Sequence, residues 1–268
     1  MKKTLTTAAC IFAVSCSGQK EDAPSSNEVS TPVENDIMAP AEDAVSLFDG
    51  ETLTNWKTIE KDAPFWKAVD GEIQGGSLEV NVPRNVWLVS EKNYENFELT
   101  FSVRFVEGAE DGLLKNSGVQ IRSLNKGSSI VGYQIDAGPT LPKKNTNNGL
   151  GYWGNIWDEH RRGALVTAIN QAELLESIQQ FEGWNDYKII ANGPNIKTWI
   201  NGILAHDYTE ENPKIAADGI IALQAHRGGK FLVSFKDIKI KELEPTEGSQ
   251  KWTDKDTITG RTKKKKKK

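Results

Sequence analysis

Three short stretches place hydrogen-bonding and titratable side chains at alternate positions: Gln120 and Arg122 in SGVQIR, Gln134 and Asp136 in GYQIDAG, and Gln224 and His226 in IIALQAHRGG. The residues between and beside them (Val119 and Ile121, Tyr133 and Ile135, Leu223 and Ala225) give each stretch the two-residue period of a half-buried strand. An extended strand sends both polar groups to the face opposite its apolar residues. Amide, guanidinium, carboxylate and imidazole together can hold sugar hydroxyls or an oxyanion and move a proton, and imidazole titrates near neutral pH. Any one pair reads equally as a solvent face. Their joint preference for rigid, multiply hydrogen-bonding types over Lys, Glu and Thr points to one shared cleft, with His226 the strongest single candidate for proton transfer.

A second cluster is contiguous: Trp157, Asp158, Glu159, His160, Arg161 and Arg162. On a loop such a run can supply a metal ligand, a base and an anchor for a sugar hydroxyl, or it can be a solvated turn. Asp158 and Glu159 are candidate bases and candidate ligands of a divalent cation. Glu91, in the SEK block, either lines the same cleft or pairs with Lys92. Trp153, Trp157 and Trp199 can stack on the apolar face of a pyranose while its hydroxyls stay free to hydrogen bond. Trp56, Trp66 and Trp184 are assigned to packing, and His206, after a hairpin, to a strand edge.

These groups need a sheet to aim them, and the remaining pattern supplies one. Phe97, Leu99, Phe101, Val103 and Phe105 alternate with Glu98, Thr100, Ser102 and Arg104. Asp70-Gly71 and Asn201-Gly202 separate extended runs and suit the positive φ angles of tight hairpins. Phe231, Val233 and Phe235 change phase to Ile238 and Ile240, which predicts a bulge near Lys236-Asp237. The fold class is all-β, a curved antiparallel sandwich. Residues 138–184 are the exception. Gly138 to Arg162 reads as a long functional loop over the sheet. Asn170 and Glu173 then form a capping-box pattern ahead of Leu174, Leu175, Ile178 and Phe181, predicting one short helix near 170–180.

Nine collinear blocks, among them LFDGETLTNW at 47–56, FWKAVDGEIQGG at 65–76, NSGVQIR at 116–122, WGNIWDEHRRG at 153–163 and GIIALQAHRGG at 219–229, resemble the 3-keto-disaccharide hydrolase family. The resemblance covers about 45 to 243. It implies a concanavalin-like jelly roll and cleavage of glycosides already oxidised to a ketone at carbon 3. That ketone acidifies the proton on carbon 2, so a base can remove it, the glycosidic oxygen can leave carbon 1, and water can add. Such a route needs positive charge, donors or a metal ion beside an enolate rather than a carboxylate facing an oxocarbenium ion. On this reading His226 or a loop carboxylate is the base, and Arg122 with Gln224 holds the oxyanion or hydroxyls. A noncatalytic carbohydrate binder on the same scaffold is the alternative, and a two-carboxylate glycoside hydrolase a third.

The termini read as appendages. Lys2 and Lys3 precede a short apolar stretch ending at Ala13-Val14-Ser15-Cys16, which looks like a bacterial lipoprotein signal over 1–15 with Cys16 as the lipidated residue. Residues 16–44 then form a Ser-, Pro- and Glu-rich tether, 45–243 the domain, and 244–268 a tail ending in six lysines that repel one another. Together these predict a bacterial envelope protein held to a membrane by lipid, on its periplasmic side or at the surface. The net charge of −4 gathers no nucleic acid, and the partner that the family resemblance implies is a carbohydrate, a 3-keto-glycoside.

Overall fold

The computed structural model describes residues 37–106, 116–138, 151–179, 183–253 and 256. The signal, Cys16, most of the tether, Phe181 and the lysine run fall outside them. The strands in chain order are Val45–Ser46 (β1), Trp56–Lys57 (β2), Trp66–Val69 (β3), Glu72–Ser77 (β4), Val86–Tyr94 (β5), Phe97–Val106 (β6), Ser117–Asn125 (β7) and Ile130–Ala137 (β8). They continue with Ile156–Glu159 (β9), Gly163–Val166 (β10), Asn185–Asn192 (β11), Asn195–Ile200 (β12), Ile203–Thr209 (β13), Gly219–Ala225 (β14) and Phe231–Glu242 (β15). One helix, Gln171–Ser177 (α1), and a 3-10 helix at Glu60–Phe65 complete the set.

All pairings are antiparallel and form two sheets. The seven-stranded front sheet runs β10-β9-β8-β7-β14-β5-β2, and the eight-stranded back sheet runs β13-β12-β11-β6-β15-β4-β3 with β1 on β15. Phe97, Leu99, Phe101, Val103 and Phe105 of the back sheet meet Val119, Ile121, Ile135 and Leu223 of the front sheet in one core. This is the antiparallel sandwich that the alternation predicts, in the jelly-roll form that the resemblance implies. Asp70 and Gly71, and Asn201 and Gly202, all have positive φ, as the hairpin reading requires. The β15 register shifts between Lys236 and Lys239, with Asp237 at φ 52°, where the phase change predicts a bulge.

Three local expectations give way. Residues 156–159 and 163–166 are a hairpin that extends the front sheet rather than a loop lying over it, while 139–150 lie outside the described residues. The helix forms, but Asn170 sits in the left-handed region at φ 51° and makes no side-chain cap. Its amide instead donates to the Leu204 carbonyl at 3.0 Å, so the capping box is absent. The chain also goes on making contacts past residue 243: Trp252 donates its indole N–H to the Arg122 carbonyl, and Ser249 bonds Glu95.

Candidate functional site

The front sheet carries a cleft of about 620 Å³ on its outer face, within the size range of ligand pockets. Because Val119, Ile135 and Leu223 point into the core, their neighbours must point out. Register then fixes who meets whom. Asp136 pairs with Gly118, Gly118 with Gln224, and Gln224 with Trp87, so these four share one row across β8, β7, β14 and β5. In the next row Gln134 pairs with both Gln120 and Trp157. Gly118 in the central strand is the floor. A β-carbon there would lie 2.8 Å from Gln134 Cγ and from the Ile135 carbonyl, so glycine is what lets the flanking amides close over it.

Those amides form a directed network ending on a carboxyl group. Ser123 donates to Gln120 Oε1 at 2.8 Å, and Gln120 donates to Gln134 Oε1 at 3.1 Å. Gln224 donates to the same Gln134 oxygen at 2.9 Å, and Gln134 Nε2 donates to Asp136 Oδ1 at 2.5 Å. All five residues are buried. Burial pushes the Asp136 carboxyl well above the usual carboxylate range, with the nearby Glu159 charge adding to the shift and the Gln134 bond opposing it. The group is therefore held toward its neutral form, a proton donor.

His226 sits two residues past Gln224, at the exit of β14, and lines the same cleft. Its Nδ1 lies 2.7 Å from the Arg227 carbonyl. A carbonyl only accepts, so Nδ1 carries the proton and Nε2 the lone pair. Burial lowers its pKa, with the bond to the Arg227 carbonyl opposing the shift and the charge of Arg227 adding to it. The ring is held toward its neutral, basic form.

The wall beyond β8 comes from the β9–β10 hairpin. Trp157 and Glu159 line the cleft, and strand alternation sends Asp158 the other way. Asp158 is fully buried and accepts from Arg161 Nε at 2.6 Å and Arg162 Nε at 2.5 Å. Arg162 also reaches Glu210 at 2.6 Å, and that carboxylate, although partly desolvated, is lowered to about 2 by bonds from Arg162, Tyr133 and Tyr208. Arg161 is packed over the Tyr133 ring at 4.8 Å. Arg161 and Arg162 are thus fixed from beneath.

Of the residues singled out in the sequence, His226, Glu159, His160, Gln134, Asp136, Trp157, Arg161, Arg162 and Gln224 line this one cleft. The others do not. Asp158 is the buried clamp just described, and with Glu159 on the opposite face the two cannot share a cation. Among the described residues no group of three or more His, Cys, Asp or Glu comes together to hold a metal ion. Gln120 lies beneath the cleft and reaches it through Gln134. Arg122 turns inward, because β7 carries a bulge with Arg122 at φ 47°. Its guanidinium is buried and donates to Glu95 O, Gly193 O and Asn96 Oδ1 at 2.7–2.8 Å, with burial lowering its pKa to about 10. Trp153 packs edge-on against Phe105 in the core, Trp199 lies on the outer side of the back sheet, and Glu91 is exposed at the other end of β5. His206 lies on β13, the edge strand of the back sheet, as read, but its ring is buried. Trp87, Asn116 and Tyr152 also line the cleft. Trp87 was legible, two residues before Val89 on the face that register with Gln224 selects; Asn116 and Tyr152 lie outside strands, where alternation gives no signal.

A jelly-roll sandwich with a polar cleft on one sheet is thus the class of protein. The chain belongs to the 3-keto-alpha-glucoside-1,2-lyase-like domain family, which matches residues 43–241. Among solved structures it resembles two Parabacteroides distasonis ATCC 8503 proteins described as candidate glycosyl hydrolases. One is 17% identical with a TM-score of 0.51, covering 81% of this chain and 99% of that one. The other is 18% identical with a TM-score of 0.52, covering 75% and 99%. At these identities the likeness is one of fold. No curated protein matches the chain.

Proposed function

We propose that this protein cleaves 3-keto-glycosides by elimination across carbons 1 and 2, followed by hydration. His226 Nε2 takes the proton from carbon 2, and the electron pair moves onto the carbon 3 oxygen as an enolate. Collapse of the enolate restores the ketone, forms the carbon 1–carbon 2 double bond and breaks the bond from carbon 1 to the glycosidic oxygen. That oxygen receives the Asp136 proton. Water then adds across the double bond to give the free 3-keto sugar. Arg227, beside the base, offsets the enolate charge, the Gln134 and Gln224 amides hold hydroxyls, and Trp157 offers a ring face.

The observation that carries this reading is the pairing of protonation states in one cleft: an imidazole biased to its basic form and a carboxyl biased to its acidic form, two strands apart on one face. Extending the strand spacing puts their Cα atoms about 12 Å apart. A two-carboxylate glycosidase is less well supported, since Asp136 and Glu159, the carboxylates that line the cleft, come from neighbouring strands on one side of it. In the test, purified protein is incubated with a 3-keto-glucoside and with its parent glucoside. Release of 3-keto-glucose from the first alone, reduced at least about 100-fold in His226→Ala, is the expected result. Release from the parent glucoside, or binding of both without release from either, would sink it.

A further inference from the structure

The back sheet reaches through the apolar interior at two points, and both meet the main chain beneath Asp136. Tyr187 of β11 donates its hydroxyl to the Asp136 carbonyl at 3.1 Å. That carbonyl also accepts from Gly154 N–H at 3.1 Å, and the Gly154 carbonyl is in turn 3.0 Å from Nδ1 of His206, in β13. Tyr187 and His206 are each 1% exposed. Burying a phenol and an imidazole in such surroundings is unfavourable unless they find partners; the phenol finds one on the front sheet and the imidazole Nδ1 finds one in the turn before β9, while His206 Nε2 has no hydrogen-bond partner among the described residues. The approach is close enough to require glycine: Gly154 has φ 71°, and a β-carbon there would lie 2.8 Å from Ala205 Cβ and 3.1 Å from Ile200 Cδ1. Tyr187 is itself fixed by stacking on Phe101, ring centroids 4.9 Å apart.

We infer that Tyr187 and His206 are positioning residues, which hold the peptide of Asp136 from behind so that its carboxyl faces the leaving oxygen. This rests on the proposed elimination, in which Asp136 is the acid. A sheet strand alone tolerates small tilts of its peptide planes, and a carboxyl that must reach one oxygen does not. Neither residue touches the cleft through its polar atoms, so substrate affinity stays with Gln134, Gln224 and Trp157.

The test is steady-state kinetics on a 3-keto-glucoside with Tyr187→Phe, His206→Ala and His206→Asn, together with their melting temperatures. The Asn amide can donate where Nδ1 does, so it serves as the conservative rescue. We expect Tyr187→Phe and His206→Ala to lower kcat at least about tenfold with KM within about twofold, and His206→Asn to recover most of that loss. Unchanged kcat in Tyr187→Phe overturns the inference, as does a loss that follows the melting temperature and is not recovered by Asn. Wild type that does not turn over the substrate removes the elimination reading and the inference with it. Active wild type with unaffected variants removes the inference alone.

Discussion

A single side chain in this fold can be read through its surroundings more surely than through its type, and the three histidines make the case. His226 and His160 line the cleft, whereas His206 is sealed between the sheets. Burial lowers the His206 pKa to about 4, against about 6.5 for an unfolded chain. The unfolded state therefore binds the proton first as pH falls. The native state keeps its full stability above about pH 6.5 and loses it progressively toward pH 4, by on the order of 3 kcal/mol from this group. Asp136, raised by burial, acts in the opposite direction, because the native state takes up its proton first. Comparison with His206→Asn at each pH cancels the Asp136 contribution. Urea unfolding at pH 7, 5.5 and 4.5 should show the Asn variant gaining on wild type as pH falls; a constant difference would mean that the imidazole does not titrate in the native state.

Elements explain which groups the sequence could place. Alternation assigned Gln134, Asp136 and Gln224 to one face, and register in the antiparallel sheet brought them together. The same rule failed for Arg122 because a bulge in β7 resets the phase just there, at the end of the alternating run, with no later apolar residues in a shifted phase to mark it as Ile238 and Ile240 mark the bulge in β15. It failed for Asp158 in a different way: read as a loop, 157–162 offered six neighbours at once, whereas 157–159 belong to a strand, which turns Asp158 away from Trp157 and Glu159. Trp153, in the turn before β9, packs into the core instead. The amide network was beyond reach from sequence, since it depends on an absent side chain at Gly118. That dependence is testable. Gly118→Ala would set a methyl group against Gln134 and the Ile135 carbonyl. We expect it to abolish measurable binding of the parent glucoside by calorimetry at a loss of only about 1–3 kcal/mol in stability. Unimpaired binding would show that the Gln134 position does not shape the cleft.

At the scale of the whole molecule, the cleft depends on a segment beyond the family-matched region, which ends at residue 241. Residues 244–253 cross the base of the sandwich as a strap. Asn96 donates to Glu244 O at 2.6 Å and to Thr246 Oγ1 at 2.9 Å, Ala217 N–H bonds Gln250 O at 2.8 Å, and Trp252 N–H bonds Asp218 at 3.0 Å. The Trp252 indole closes on the Arg122 carbonyl, at the β7 bulge, and its ring lies 5.4 Å from the Arg161 guanidinium in the cleft wall. A chain ending at residue 243 leaves the partly buried Asn96 short of two acceptors and Arg161 with one ring in place of two. Each lost bond contributes about 1 kcal/mol, and for a domain of this size about 2–4 °C accompanies each kcal/mol. The truncated chain should therefore melt at least about 5 °C below the full one and bind sugar more weakly, while Trp252→Ala alone should reproduce the weaker binding with a smaller fall in Tm. Equal melting and equal affinity in all three proteins would mean that the strap only lies against the domain and takes no part in shaping its cleft.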